Sequence, residues 1–433
     1  MNPYEKRREE LAELDKRHFL HPTSPIKQQQ EQGPAFIFVK GEGVYLEDIN
    51  GKRLIDGMSS LWNVNIGHGR EELAQAAAEQ MKTLAFSSCF ATFSNEPAIN
   101  LAAKLAKISP KDLTTTFFTS GGSEANDTAY KLARHYWILK GRHEKKKIIS
   151  RHRSYHGVAM GSTSATGLKP FRDFTNSIAP DFYHVENLSA EALREVIDQE
   201  GPDTIAAFVA EPVQGAGGVH IAPDDYFKKV RKICDDHDIL FIADEVITGF
   251  GRTGTYFGLN HYGVTPDLMC FAKGVTSGYA QLGGVMLSQS IFDDLKKHST
   301  GTLLHGYTYS GHPMACAVTL KNIEIIENEK LIENAQKMGE EMLKGFKWLQ
   351  DKHDLISEVR GIGLMGAIEL HSSTKQAAPM IVNKAAELGL ICRSVVFDHM
   401  DILVFSPPLI ITKQEMDKMI DILDHAIYSV EQI

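Results

Sequence analysis

Apolar residues recur along this chain with two periods, and the alternation between them predicts most of its elements. Residues 36–57 (FIFVKGEGVYLEDINGKRLIDG) alternate apolar with polar, and Gly41-Glu42-Gly43 and Asn50-Gly51 supply turns, so a small β-meander is expected there. Ahead of it, Leu11, Leu14 and Phe19 stand among charges, predicting a short amphipathic helix that ends at His21-Pro22 and packs on another surface. From residue 66 to 325, short apolar runs (TTTFFT at 114, KIIS at 147, IAAFVA at 205, ILFIA at 239, LMCFA at 268) alternate with helical patterns. That is the α/β signature of a mainly parallel sheet. One long helix is expected over 315–351, then strands around GLMGAIEL and LVFSPPL, then an amphipathic helix from Lys413. With no internal repeat or low-complexity tract, the ends (1–65 and 326–433) read as one smaller domain around a large central one (66–325).

Composition narrows the function. With 43% hydrophobic and 23% charged residues, the 433-residue chain can bury a sizeable core. A net charge of -9 repels a phosphate backbone, so nucleic acid is an unfavourable partner. The five cysteines are scattered without C-x-x-C spacing, which argues against a zinc or redox site and for a reducing compartment, the cytoplasm. No metal site is expected. The first thirty residues are charged, and no run approaches the roughly 18 apolar residues that cross a bilayer, so neither export signal nor membrane anchor is expected.

In open α/β sheets ligands bind beyond the carboxyl ends of the strands, which makes the polar residues just after each apolar run the candidates. The run at 239 exits into Asp244-Glu245, and the run at 268 into Lys273-Gly274. A lone Ala-Lys-Gly reads as a solvated surface lysine. Its company changes that. The run at 114 exits into Ser120-Gly121-Gly122-Ser123 and a helix whose Ala125, Ala129, Leu132, Ala133 and Tyr136 share one face, where free N–H groups and the helix dipole suit a phosphate. Alone, those small residues describe an ordinary N-cap. KIIS exits into Ser154-Tyr155-His156-Gly157, whose tyrosine either packs in the core or offers a face to a planar cofactor. IAAFVA exits into Glu211. A phosphate cup, a strand-end aspartate, a lysine and a stacking aromatic together meet the needs of pyridoxal 5'-phosphate (PLP).

The motifs SGGSEAND at 120, SYHG at 154, AEPVQGAGG at 210, IADEVITGFGRTG at 242, FAKG at 271, HGYTYSGHP at 305 and GLICR at 389 are ordered and spread over most of the chain. In them the sequence resembles the class III, or omega-amino-acid, aminotransferases of PLP fold type I. The resemblance implies a large domain with a mainly parallel seven-stranded sheet plus a smaller α/β domain from the two chain ends. It implies PLP held by Lys273 as a Schiff base, with Asp244 on the pyridine nitrogen and Val246 and Tyr155 on opposite ring faces. Ser120, Gly121, Gly122 and Ser123 would surround the phosphate, and His156 is grouped with the cofactor. Glu211 is commonly preserved, with a role that varies between branches. Thr308 would reach the phosphate in the neighbouring subunit of a homodimer, alone or as a dimer of dimers.

Departures set the subgroup. Branches acting on ornithine or 4-aminobutyrate usually carry glutamine where this chain has Ile247. Ser59-Ser60-Leu61-Trp62-Asn63 resembles the amine:pyruvate branch, in which Trp62 lines the large substrate pocket with Phe90 near it. Arg393 matches the mobile arginine that binds a substrate carboxylate through its planar fork and swings away for an uncharged amine; the plain alternative is a surface arginine ending a strand. These positions imply ping-pong transfer from a primary amine or omega-amino acid to a 2-oxo acid such as pyruvate, with Lys273 as base and acid. A 7,8-diaminopelargonate aminotransferase or an aminomutase of the same fold stays open, as does the natural donor. Gly249 to Gly254 also matches G-x-G-x-x-G, so a dinucleotide-dependent dehydrogenase is a formal rival, though Asp244 precedes the glycines where the fingerprint wants an acid about 20 residues after. A non-enzymatic PLP-binding regulator would need a DNA-binding segment that the sequence does not display.

Overall fold

A computed structural model describes residues 3–371 and 376–432. Its centre is a seven-stranded sheet in the spatial order Leu113–Thr119, Gly283–Ser288, Leu268–Phe271, Leu240–Asp244, Ile205–Ala210, Lys147–Arg151, Phe182–Val185. Only Gly283–Ser288 runs antiparallel to its neighbours. The middle strands Ile205–Ala210 and Leu240–Asp244 are buried along their whole length, which explains why they read as continuous apolar runs: helices cover both faces. One such helix, Tyr226–Asp236, buries Tyr226, Phe227, Val230, Ile233 and Cys234, a stripe at helical spacing, and Phe227 stacks on Phe241 of the sheet.

The meander forms as expected from Phe38–Glu42, Tyr45–Asp48 and Arg53–Asp56. Leu390–Ile391, from the far end of the chain, adds to it as a fourth, parallel strand. A second four-stranded sheet joins Ile356–Ile362, Met365–Leu370, Ile402–Phe405 and Arg393–Val395, all antiparallel. The last helix, Lys413–Glu431, starts at a capping box in which Thr412 and Glu415 exchange side-chain and backbone bonds.

Two expectations change. The long helix over 315–351 is two, Pro313–Asn328 and Leu331–Lys352, broken where Lys330 takes a left-handed φ of 53°. Glu329 at the break pairs with Arg70, a partner far away in sequence that a periodicity reading cannot see. The N-terminal helix Pro3–His18 leaves Leu14 and Phe19 exposed and docks on the short helix Ile26–Gln32, where Asp15 accepts from Gln29 and pairs with His21. Among the described residues no helix is long and apolar enough to cross a membrane.

Candidate active site

Six parallel strands aim their carboxyl ends at one edge of the sheet, and a cavity of about 470 Å³ opens there. Strand register sets its floor. Ala210 pairs with Ala243, so Glu211 and Asp244 leave adjacent strands at one level, and Lys273 follows three residues beyond Cys270, the partner of Asp244 on the next strand. All three line the cavity, together with Tyr155 and His156 and, from the adjoining helix start, Gly122 and Ser123.

Asp244, the last residue of its strand, is buried and fully engaged. Its Oδ2 accepts from Asn126 Nδ2 (2.8 Å) and pairs with His156 Nδ1 (2.7 Å), and its Oδ1 accepts from the Val246 amide (3.1 Å). Those partners fix the orientation of the carboxylate. His156 Nε2 and Asn126 Oδ1 are buried without a partner. Lys273 follows its strand in a left-handed conformation (φ 49°), which is uncommon for a side-chain-bearing residue and typical of functional sites. Part of its surface stays open to the cavity, yet burial lowers its amine to about 8; Asp244 and Glu211 oppose that shift and Arg393 adds to it. Glu211 is buried and pushed up to about 7 by that burial, while its two oxygens accept from the amides of Tyr155 (2.9 Å) and Gly215 (3.2 Å). Glu211 thereby ties the aromatic loop to the neighbouring strand exit.

The helix Gly122–Leu139 begins with no side chain capping it, so its first amides are open to an anion. Around Gly121 a methyl group would meet nothing within 4 Å. The amide of Ser120 is instead taken by Glu124 Oε2 (2.8 Å), and Ser123 Oγ accepts from the Val158 amide (3.1 Å). Gly157 (φ 115°) closes this loop on the helix, where any Cβ would stand 2.3 Å from Ser123 Oγ. An open helix start and a buried carboxylate, with a lysine of lowered pKa, fit a phosphorylated pyridine aldehyde.

The outer wall is largely apolar. Trp62, Val246, Ile247, Phe171 and Phe397 line it, and Tyr155 meets Phe171 edge to face at 5.4 Å. Arg393 opens the strand Arg393–Val395 and lines the cavity, and no hydrogen bond or ion pair holds its guanidinium among the described residues. Phe90 and Thr308 lie elsewhere. Phe90 is half exposed with its ring against Gly306, and Thr308 is exposed in the segment before the helix Pro313–Asn328. Sequence reading passed over Asn126, although it sits one helical turn after Gly122 in a motif already marked. It also passed over Phe171, in the short helix Lys169–Asp173, and Phe397, in a loop, neither of which carries a local signal. The glycines from Gly249 to Gly254 form turns and are followed by the short 3-10 helix Gly258–Tyr262, so they lack the long helix a dinucleotide site requires.

A fold and site of this kind define an enzyme of the PLP-dependent transferase class. Comparison with known proteins makes that specific: residues 26–427 match the family model described as aminotransferase class-III. The chain belongs to the class III aminotransferases, and its cofactor is PLP. It is 40% identical to a putrescine–pyruvate aminotransferase of Pseudomonas aeruginosa over 95% of this chain and 94% of that one. Among solved structures, a transaminase from the marine bacterium Virgibacillus superposes with a TM-score of 0.97 at 53% identity, covering 98% of this chain and 99% of that one. An omega transaminase from Pseudomonas jessenii in complex with PMP superposes with a TM-score of 0.94 at 37% identity, covering 98% of both.

Proposed function

We propose that this aminotransferase moves an amino group from a primary amine or omega-amino acid to a 2-oxo acid, with pyruvate as acceptor, in two half-reactions sharing one cavity. The observation that carries this reading is Arg393, whose guanidinium has no hydrogen-bond or ion-pair partner among the described residues, in a wall otherwise lined by Trp62, Val246, Ile247, Phe171 and Phe397. An arginine of that kind is free to bind a carboxylate when an oxo acid enters and leaves apolar walls for an uncharged amine. Similarity to the putrescine–pyruvate enzyme supports pyruvate, and the apolar Ile247 in the wall supports an amine without a distal charge. Replacing Arg393 with alanine should raise KM for pyruvate about 30-fold, the worth of a charge-assisted pair, and change the amine half-reaction less than threefold. Equal losses in both half-reactions would refute the assigned role.

Bound PLP supplies an electron sink for the bond broken at the substrate carbon. The residues of this chain do the rest. Lys273 Nζ, neutral in an appreciable fraction at neutral pH, takes the proton from that carbon and returns it later. Asp244 would hold a proton on the ring nitrogen, and the amides at Gly121 to Ser123 would hold the phosphate. Tyr155 and Val246 confine the ring between them. Two substrates that use one cavity in turn give ping-pong kinetics. We also propose a homodimer in which exposed Thr308 serves the phosphate of the neighbouring subunit, and a division into 66–325 and the two flanking segments.

The Lys273 amine gives a pH test on cofactor-free protein. A base whose pKa lies near 8 is about one-tenth neutral at pH 7 and nine-tenths neutral at pH 9, so PLP capture should quicken about tenfold between them. Capture followed by absorbance, with a midpoint above pH 10, would show that burial does not lower this amine.

A further inference from the structure

The wall carrying Trp62 is held in an unusual conformation by two buried charged residues that touch neither the cavity nor its contents. Ser59 (φ 44°), Ser60 (φ 59°, ψ -60°) and Trp62 (φ 60°) all have positive φ, and Ser60 occupies the region of the strained γ-turn. Such strain persists only where the surroundings over-determine it. Here they do. Asp56 is fully buried, and both its oxygens accept from the Ser60 amide (2.8 and 2.7 Å), while its Oδ2 also accepts from Ser60 Oγ (3.2 Å) and pairs with His68 Nε2 (2.8 Å). Arg252, also fully buried, hydrogen-bonds to no carboxylate among the described residues: it donates to Ser59 Oγ (3.0 Å), Asn65 Oδ1 (2.7 Å) and the carbonyls of Leu364 and Pro407. Asn65 returns a bond to the Phe250 carbonyl (2.9 Å), and Ser59 Oγ donates to that of Ser406 (2.7 Å). The segment is therefore pinned at 59, 60 and 65. Between the pins, Leu61 and Trp62 face the cavity, and Trp62 is only 2% exposed.

We propose that Asp56 and Arg252 are positioning residues that clamp residues 59–65 and so fix Trp62, setting the largest amine substituent the cavity admits. The effect on substrate size rests on the aminotransferase reading of this cavity; the clamp itself does not. A buried arginine bonded only to neutral acceptors is poorly explained as an ion-pair staple, since the Asp56 charge acts on it without a hydrogen bond and does not offset its burial. Its four acceptors lie on three separate stretches of chain, with two of them bracketing Trp62. A role confined to overall stability would weaken turnover of every amine alike. A clamp changes their ratio.

The test uses the PLP-loaded protein labelled with 5-fluorotryptophan. Its three tryptophans give three fluorine resonances, and that of Trp62 is assigned by its loss in Trp62→Phe. In Asp56→Asn, Ser60→Gly and Arg252→Lys, the Trp62 resonance should shift or broaden while those of Trp137 and Trp348 stay in place. The ratio of kcat/KM for a bulky arylalkyl amine to that for a small aliphatic amine should rise about tenfold, the scale on which a pocket wall discriminates. An unmoved Trp62 resonance in Asp56→Asn and Ser60→Gly overturns the clamp, as does an equal fall for both amines. An unmoved resonance in Arg252→Lys alone removes Arg252 from it. If Asp56→Asn does not fold, Ser60→Gly decides, because glycine relieves the strained turn without emptying a buried site. Absence of transamination by the unaltered protein would refute the substrate reading, while the fluorine comparison, which needs no substrate, still judges the clamp.

Discussion

Alanine in place of Lys273 should lower transamination by about 10³-fold or more, because in the proposed scheme its amine both anchors the cofactor and moves the substrate proton. No other side chain is placed to substitute for it. The other titratable groups lining the cavity are Asp244 and His156, engaged with each other, Glu211, tied to two amides, Tyr155, whose phenol is pushed up by burial, and Arg393. The fold should survive, since the Lys273 side chain makes no hydrogen bond or ion pair among the described residues and lies just past a strand end. Single-turnover measurements with saturating PLP separate the two losses, since weakened anchoring responds to cofactor concentration and a missing base does not. Added small amines such as methylamine should restore part of the rate. Transamination by the alanine protein at the normal rate would refute the scheme.

Asparagine in place of Asp244 is expected to cost about 10²- to 10³-fold, the range for removing one pre-organised electrostatic partner from a closed site. The carboxylate accepts from Asn126, pairs with His156 and accepts from the Val246 amide, so it is oriented before any ligand arrives. An amide of the same shape carries no charge for a protonated ring nitrogen, and its NH2 would confront the Asn126 and His156 donors. Binding of PLP should weaken less than turnover falls, because the phosphate cup and Lys273 remain. Stopped-flow rates of the amine half-reaction, compared with cofactor affinity from fluorescence titration, check this. A variant within threefold of the native rate, or one that loses binding and rate together through misfolding seen by circular dichroism, would not support a charge-specific role.

How much of this could be read in advance depended on how local each signal was. The five apolar runs and the residues after them were legible because a buried parallel strand is a continuous apolar segment and its exit is the next polar residue. The strands Phe182–Val185 and Gly283–Ser288 were not singled out: FYHV is short, and GGVMLS opens on two glycines. That the second of them runs antiparallel is invisible locally, since strand direction depends on where the chain re-enters the sheet. Lys330 broke a helix that periodicity alone would continue, because its neighbour Glu329 bonds Arg70 across the fold.

The candidate chemistry is legible locally: a lysine, an aspartate, a glycine-rich helix start and an aromatic each follow an apolar run, and together they suit a phosphorylated pyridine aldehyde. Tertiary structure decided the geometry of selection. Register brought Glu211 and Asp244 to one level with Lys273 just beyond, the helix Lys169–Asp173 and a distant loop supplied Phe171 and Phe397, and bonds from Asp56 and Arg252 pin the segment that carries Trp62. Reactive groups follow from residue identity and near neighbours, whereas the shape of a cavity is a sum of long-range contacts whose partners lie hundreds of residues apart.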